Sequence, residues 1–130
     1  MIEVAELGRL FADYAWGIDH GRWELLAGTF AENASFGVSV AGEEVVPPIA
    51  GRAAIVDFIS STTIAQPDQR RHVITNVRPE GDGGAANLTL LVVENGQLEV
   101  KSCGYYTTTL VEEGGAWRFG DMRLFLDLGF

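Results

Sequence analysis

The sequence predicts an α+β fold, a curved antiparallel sheet covered by about three helices from the N-terminal half. Three observations predict it. Apolar residues recur at spacings of three and four through the first thirty positions. From residue 70 onward the chain reads as four successive strands separated by tight-turn signals. Only one further helical stretch, 52–62, interrupts the strand-like part. Helices set apart from an antiparallel sheet give the α+β class. A long sheet of this kind curls, and helices over its concave face make a cone, closed at one end and open at the other. Every second strand residue then lines the cavity.

The first element spans 2–18, where Leu7, Leu10, Phe11, Tyr14 and Ile18 form one apolar stripe and Gly17 weakens the last turn. A shorter helix over 21–30 turns Trp23, Leu26 and Phe30 inward. Residues 34–40 alternate as a strand, with Phe36, Val38 and Val40 on one face. Residues 41–51 hold Gly42, Pro47, Pro48 and Gly51 and read as a long loop, a binding lid or a plain surface connection. The helix over 52–62 places Ile55, Phe58 and Ile59 on its apolar face. Strands follow over 70–78, 85–94, 97–111 and 116–126, with Asn95-Gly96 marking a two-residue hairpin.

At 130 residues the chain accommodates one domain, expected to span 1–130, with a single core. Nine Lys and Arg against eighteen Asp and Glu give a net charge of −9. Phosphate backbones are bound by cationic patches, and Arg70-Arg71 is the one basic pair, so nucleic acid and anionic membranes are not expected partners. No apolar run approaches a membrane span. The single cysteine, Cys103, cannot form an intramolecular disulfide, and the N-terminus lacks the features of a signal peptide. A cytoplasmic location fits both.

Two histidines and one cysteine without paired spacing set metal binding aside. Cys103, mid-strand with no base nearby in sequence, reads as a buried structural thiol. The chemistry-bearing candidates are Tyr14, Asp19 and His72. Asp19 falls where the helical pattern breaks between Gly17 and Gly21. A carboxylate at such a joint either caps the second helix or turns into a cavity. Strand alternation puts His72, Ile74 and Asn76 on one face and Arg71, Val73, Thr75 and Val77 on the other. His72 is then either a buried neutral histidine or the partner of Asp19. Tyr14 packs in the apolar stripe or offers its hydroxyl to the cavity. Trp16 and Trp23 are packing residues or pocket walls, His20 faces solvent, and one of Tyr105 and Tyr106 points inward.

Tyr14-Ala15-Trp16 with Asp19 and Trp23, then Arg71-His72-Val73-Ile74-Thr75-Asn76, Gly104-Tyr105-Tyr106 and Gly115-Ala116-Trp117-Arg118-Phe119 together resemble the SnoaL-like (polyketide-cyclase-like) branch of the nuclear-transport-factor-2-like superfamily, over the whole length. That resemblance implies a cone-shaped, cystatin-like α+β barrel. Tyr14, Asp19 and His72 are similar to the Tyr–Asp–His set of bile-acid dehydratases, and Asp19 with His72 to the Asp–His pair of scytalone dehydratase. The sequence departs from the latter at Ile18, where that family has a tyrosine, and in lacking a second catalytic histidine.

The expectation is a dehydratase or isomerase without cofactor, with Tyr14, Asp19 and His72 catalytic and an apolar cyclic carbonyl compound as substrate. A polyketide or terpenoid cyclase using the same residues, or a non-catalytic binder, are the alternatives on this fold. The expected substrate-binding lining is Trp16, Phe36, Phe58, Ile74, Leu88 or Leu90, Tyr106 and Phe125. A homodimer or homotrimer is expected through Val73, Thr75, Val77, Tyr105, Thr107 and Thr109 on the outer face of the sheet.

Overall fold

The computed structural model describes residues 1–129. The first helix, α1, spans Val4–Asp19 and α2 spans Trp23–Ala27. Strands β1 (Phe30–Val40) and β2 (Glu43–Ala50) form a hairpin, followed by α3 (Arg52–Ile64). Four strands complete the chain, β3 (Gln69–Glu80), β4 (Gly83–Glu94), β5 (Gln97–Glu113) and β6 (Ala116–Leu126). They make one six-stranded sheet in the order β2-β1-β6-β5-β4-β3. It is curved and unclosed, with the helices on its concave side, and antiparallel except where β1 lies parallel to β6.

Two elements differ from the sequence reading: the second helix, expected over 21–30, stops at Ala27 with Phe30 already in β1, and the stretch 41–51 is not a loop. Residues 41–51, expected as a loop, are mostly the edge strand β2, joined to β1 by the two-residue turn Ala41-Gly42 with both residues at positive φ. Pro47 and Pro48 signalled a loop because they cannot donate to a ladder. Adjacent N–H groups point to opposite sides of a strand, so the outer edge excuses one proline, and the shift in pairing between Phe36↔Ile49 and Val38↔Val46 takes both out of the ladder with β1.

The joint between α1 and α2 depends on two glycines. Gly21, at φ +64°, ends α1 in a left-handed turn. The N–H of Arg22 donates to the carbonyl of Gly17 (2.8 Å) and that of Gly21 to Ile18 (3.3 Å), a Schellman closure. A Cβ on Gly17 would stand 3.0 Å from the Leu26 nitrogen, so only glycine lets α2 fold back this closely. Asp19 is thereby held in the final turn of α1, facing β3.

On β3, Asn76 adopts φ +55° and the pairing with β4 slips between Thr75 and Arg78. This bulge reverses the alternation beyond it. His72 and Ile74 face inward as expected, but Val77 joins their side and packs on the core instead of the outer face. The core joins α1 to the first halves of β1 and β6, with Leu7, Phe11, Phe30, Phe119 and Met122 almost fully buried.

Candidate active site

The site lies on the concave face, where the second halves of β1 and β6 leave the packed core. In parallel register Val38 pairs with Leu124 and Val40 with Leu126. With Phe36, Leu90 of β4, Phe58 and Ile59 of α3, and Val45 and Val46 of β2, they line a cavity of about 480 Å³. Its polar lining comes from Tyr14, His72, Arg70, Gln66, Thr62 and Thr63.

The structure brings Asp19 and His72 together across 53 positions of sequence. The backbone N–H of His72 donates to both carboxylate oxygens, at 2.9 and 3.2 Å, and the His72 Nδ1 lies 2.7 Å from Oδ1. Asp19 makes no helix cap, since the N-cap position of α2 is Arg22 and no side chain caps it. A carboxylate in the last turn of a helix meets the negative end of the backbone dipoles, which is unfavourable. The His72 N–H and ring offset that cost. Because β3 is an edge strand, Asp19 also occupies one of its unpaired N–H groups. Both side chains are largely covered, Asp19 at 8% and His72 at 15% exposure, so the pair sits in a partly dehydrated setting.

A carboxylate at Nδ1 favours the tautomer with hydrogen on Nδ1 and the lone pair on Nε2. The described residues supply no hydrogen bond to Nε2, and the ring borders the cavity. Tyr14 stands edge-on to His72 at 6.4 Å between ring centres and edge-on to Tyr106 at 5.4 Å. Burial pushes the Tyr14 phenol well above its ordinary pKa; Tyr106 acts the other way and Asp19 adds to the rise. Burial, then Tyr14 and Asp19, also hold the Tyr106 phenol well above its ordinary value. Tyr14 therefore borders the cavity as a protonated donor.

Of the expected lining, Phe36, Phe58 and Leu90 border the cavity and five residues do not. Trp16 is on the outer side of α1, 55% exposed and stacked on His20 at 4.1 Å. Ile74 faces a separate groove between α1 and β3, beyond the Asp19–His72 pair. Leu88 is sealed in the core, and Tyr106 is sealed behind Tyr14. Phe125 points to the convex face, stacked on Tyr105 at 5.0 Å, because its neighbours Leu124 and Leu126 hold the inward positions. Cys103 is also outward and exposed, its Sγ 3.6 Å from Asp127 Oδ2, instead of buried. It shares the parity of outward Tyr105.

Sequence reasoning missed Arg70, Gln66, Thr63, Val45 and Val46. Arg70 was accessible in principle, since it lies two residues before His72 on the same strand face. Among the described residues no three His, Cys, Asp or Glu side chains converge as a metal site would require, and no helix is long and apolar enough to cross a membrane.

The fold is shared with several solved structures. A protein of unknown function from Mycobacterium tuberculosis, Rv3472, superposes with a TM-score of 0.80 at 23% identity, covering 95% of this chain and 71% of that one. ActVI-ORFA from Streptomyces coelicolor gives a TM-score of 0.80 at 19% identity over 95% and 96% of the two chains. A Catenulispora acidiphila protein in complex with S-DNPA gives 0.74 at 25% identity over 94% and 91%. No curated protein sequence matches. The sequence profile of the SnoaL-like domain matches residues 2–123, and with the curved sheet and helix-covered cavity this places the chain in the SnoaL-like domain family, within the nuclear-transport-factor-2-like fold.

Proposed function

We propose that this chain is a dehydratase or isomerase that needs no cofactor and acts on an apolar, cyclic carbonyl compound of steroid-, polyketide- or terpenoid-like shape. The coarser ground is that SnoaL-like domains are enzymes or ligand binders. One observation supports the finer reading above the others: an imidazole oriented by a carboxylate at 2.7 Å borders a cavity that a protonated phenol also borders.

In this mechanism Nε2 of His72 removes a proton from the carbon α to the carbonyl. Asp19 holds the tautomer and stabilises the imidazolium that forms. Tyr14 donates a hydrogen bond to the enolate oxygen. For isomerisation the imidazolium returns the proton at another carbon. For dehydration it delivers the proton to a β-hydroxyl, the C–O bond breaks, a C=C bond forms and water leaves. Acid–base help of this kind is worth ~10²–10⁴ in rate. Cyclisation of a polyketide or terpenoid uses the same first step.

The test is turnover over a panel of cyclic hydroxyketones by wild type, Asp19→Asn, His72→Ala and the double variant. Each single variant should lose ~10²–10⁴ in turnover while still binding ligand, and the double should be little worse than either, because the two groups act as one unit. Near-normal turnover in Asp19→Asn would remove the dyad from the chemistry.

Self-association as a homodimer or homotrimer belongs to the same proposal. Val73, Tyr105, Leu98 and Val100 are exposed on the convex side, which favours it. Sedimentation at micromolar concentration giving only monomer would rule it out.

A further inference from the structure

Tyr106 of β5 carries a hydroxyl that the packing of the core does not need. The residue is wholly enclosed, with its ring against Phe11 at 5.7 Å and edge-on to Tyr14 at 5.4 Å. A phenylalanine would fill the same space, and a buried polar group without a partner costs stability. No formed hydrogen bond engages the Tyr106 hydroxyl among the described residues. The polar groups that bear on it are the hydroxyl of Tyr14 and, more weakly, the carboxylate of Asp19. The Asp19 oxygens are already taken by the ring and the backbone N–H of His72. Tyr106 acts to lower the pKa of Tyr14, while Tyr14 acts to raise that of Tyr106. Those opposite signs follow when Tyr106 is the donor and Tyr14 the acceptor.

We propose that Tyr106 is a positioning residue of this site: its hydroxyl donates to the Tyr14 oxygen as Tyr14 donates to a carbonyl or enolate oxygen in the cavity. The inference rests on the reading that Tyr14 holds the substrate's oxygen, and it deepens that reading. A hydroxyl has one hydrogen to give and can accept two. Of the polar groups that bear on Tyr106, the Tyr14 oxygen is the one still free to accept. Once it accepts from Tyr106, the hydrogen of Tyr14 is turned away from the core and towards the cavity that Tyr14 borders. The bond also strengthens as it is needed. When Tyr14 gives its hydrogen to an oxygen that is gaining charge, its own oxygen becomes a better acceptor, so the two bonds reinforce each other. The orphan hydroxyl is then a donor held in reserve. Its cost in stability is met before substrate arrives, which is what preorganisation requires.

The probe is 1-tetralone labelled with carbon-13 at its carbonyl, bound to the protein and read by infrared difference spectroscopy. A hydrogen bond to a carbonyl lowers its stretching frequency. In wild type the bound band should lie below that of the ketone in an apolar solvent, and Tyr14→Phe should abolish most of that shift. Tyr106→Phe should remove about 10–30% of it, the cooperative share of one further bond in the chain. Turnover should fall severalfold with KM little changed. The melting temperature of Tyr106→Phe at pH 7 should be no lower than that of wild type, because the variant deletes an orphan hydroxyl and keeps the ring. Replacing Tyr106 with 3-fluorotyrosine, a stronger donor of nearly the same size, should deepen the shift, and it reads the same bond if Tyr106→Phe fails to fold. A band that stays in place in Tyr106→Phe or, where that variant does not fold, in the fluorotyrosine protein overturns the proposal and leaves Tyr106 a packing residue. No shifted band in wild type would remove the ketone reading of the cavity and this inference with it. A band that responds to both tyrosines in a protein that turns over no substrate would refute the catalytic reading and leave this inference standing.

Discussion

The two ends of the cone are built on the same strands and use them oppositely. In the first half of β1 and of β6, Phe30 and Phe119 meet Phe11 and Tyr14 at ring separations of 4.9–6.1 Å, and no space is left. A few residues further along the same faces, Val38, Val40, Leu124 and Leu126 point the same way and surround the 480 Å³ cavity. Hydrophobicity is similar at both ends, so it does not decide which is filled. The aromatic rings of α1 fill the closed end. At the open end α3 and the β2 edge strand line the space, through Phe58, Ile59, Val45 and Val46, and do not fill it. Buried aromatic area is thus concentrated at the closed end, and the other end is left hollow.

Truncating the closed end should have the largest effect on stability. Phe119→Ala removes a fully buried ring and should cost about 3–5 kcal/mol by chemical denaturation, with ligand affinity in the remaining folded protein little changed. The counterpart at the open end, Phe58→Ala, enlarges a space that already exists. It should cost no more than about 1–2 kcal/mol and weaken an apolar ligand by about tenfold. Equal destabilisation by both would abolish the contrast.

A smaller effect concerns the seam between the two ends, where Tyr14 and Tyr106 meet. Both phenols are raised above the unfolded value of about 10. The folded state therefore binds more protons than the unfolded one in alkali. The stability this contributes is full below about pH 10 and lost as pH rises beyond it. Tyr106→Phe should flatten the fall in melting temperature above pH 10 while leaving the profile near neutrality parallel to wild type.

The smallest effect is expected on the outside of the closed end. Glu113 accepts the Glu32 N–H at 2.9 Å and is paired with Arg52 and, at 3.5 Å, with Arg118. The Glu32 N–H foremost holds its carboxyl below the usual carboxylate range; desolvation, the next largest effect, opposes it, and the Arg52 and Arg118 guanidiniums add to the lowering. A depressed folded pKa stabilises above the unfolded value of about 4.3, and that contribution disappears as pH falls through the folded value. Glu113→Gln should lower the melting temperature slightly at pH 7, and the difference from wild type should shrink on acidification. A difference that grows in acid would contradict this network.

The sequence by itself determined the element types, because period 3.6 in α1 and period 2 in β4 to β6 are local properties, written within a dozen residues. It also determined that Phe36, Val38 and Val40 share a face, and it singled out Tyr14, Asp19 and His72 as candidates for chemistry. Tertiary structure alone decided the rest. Pro47 and Pro48 read as loop until β2 is seen to be an edge strand whose pairing with β1 skips both prolines. Phe125 outranks Leu124 and Leu126 as a pocket residue by size, yet the parallel pairing with β1 turns it outward. The Asn76 bulge reverses the phase of Val77, and no hydrophobic pattern announces a single residue in left-handed backbone. Asp19 and His72 meet because a helix ending at Gly21 lies along the free edge of β3, a relation between elements 53 residues apart. Alternation says which residues share a side; only the curl of the sheet and the neighbours of each strand decide whether that side is packed, hollow or exposed.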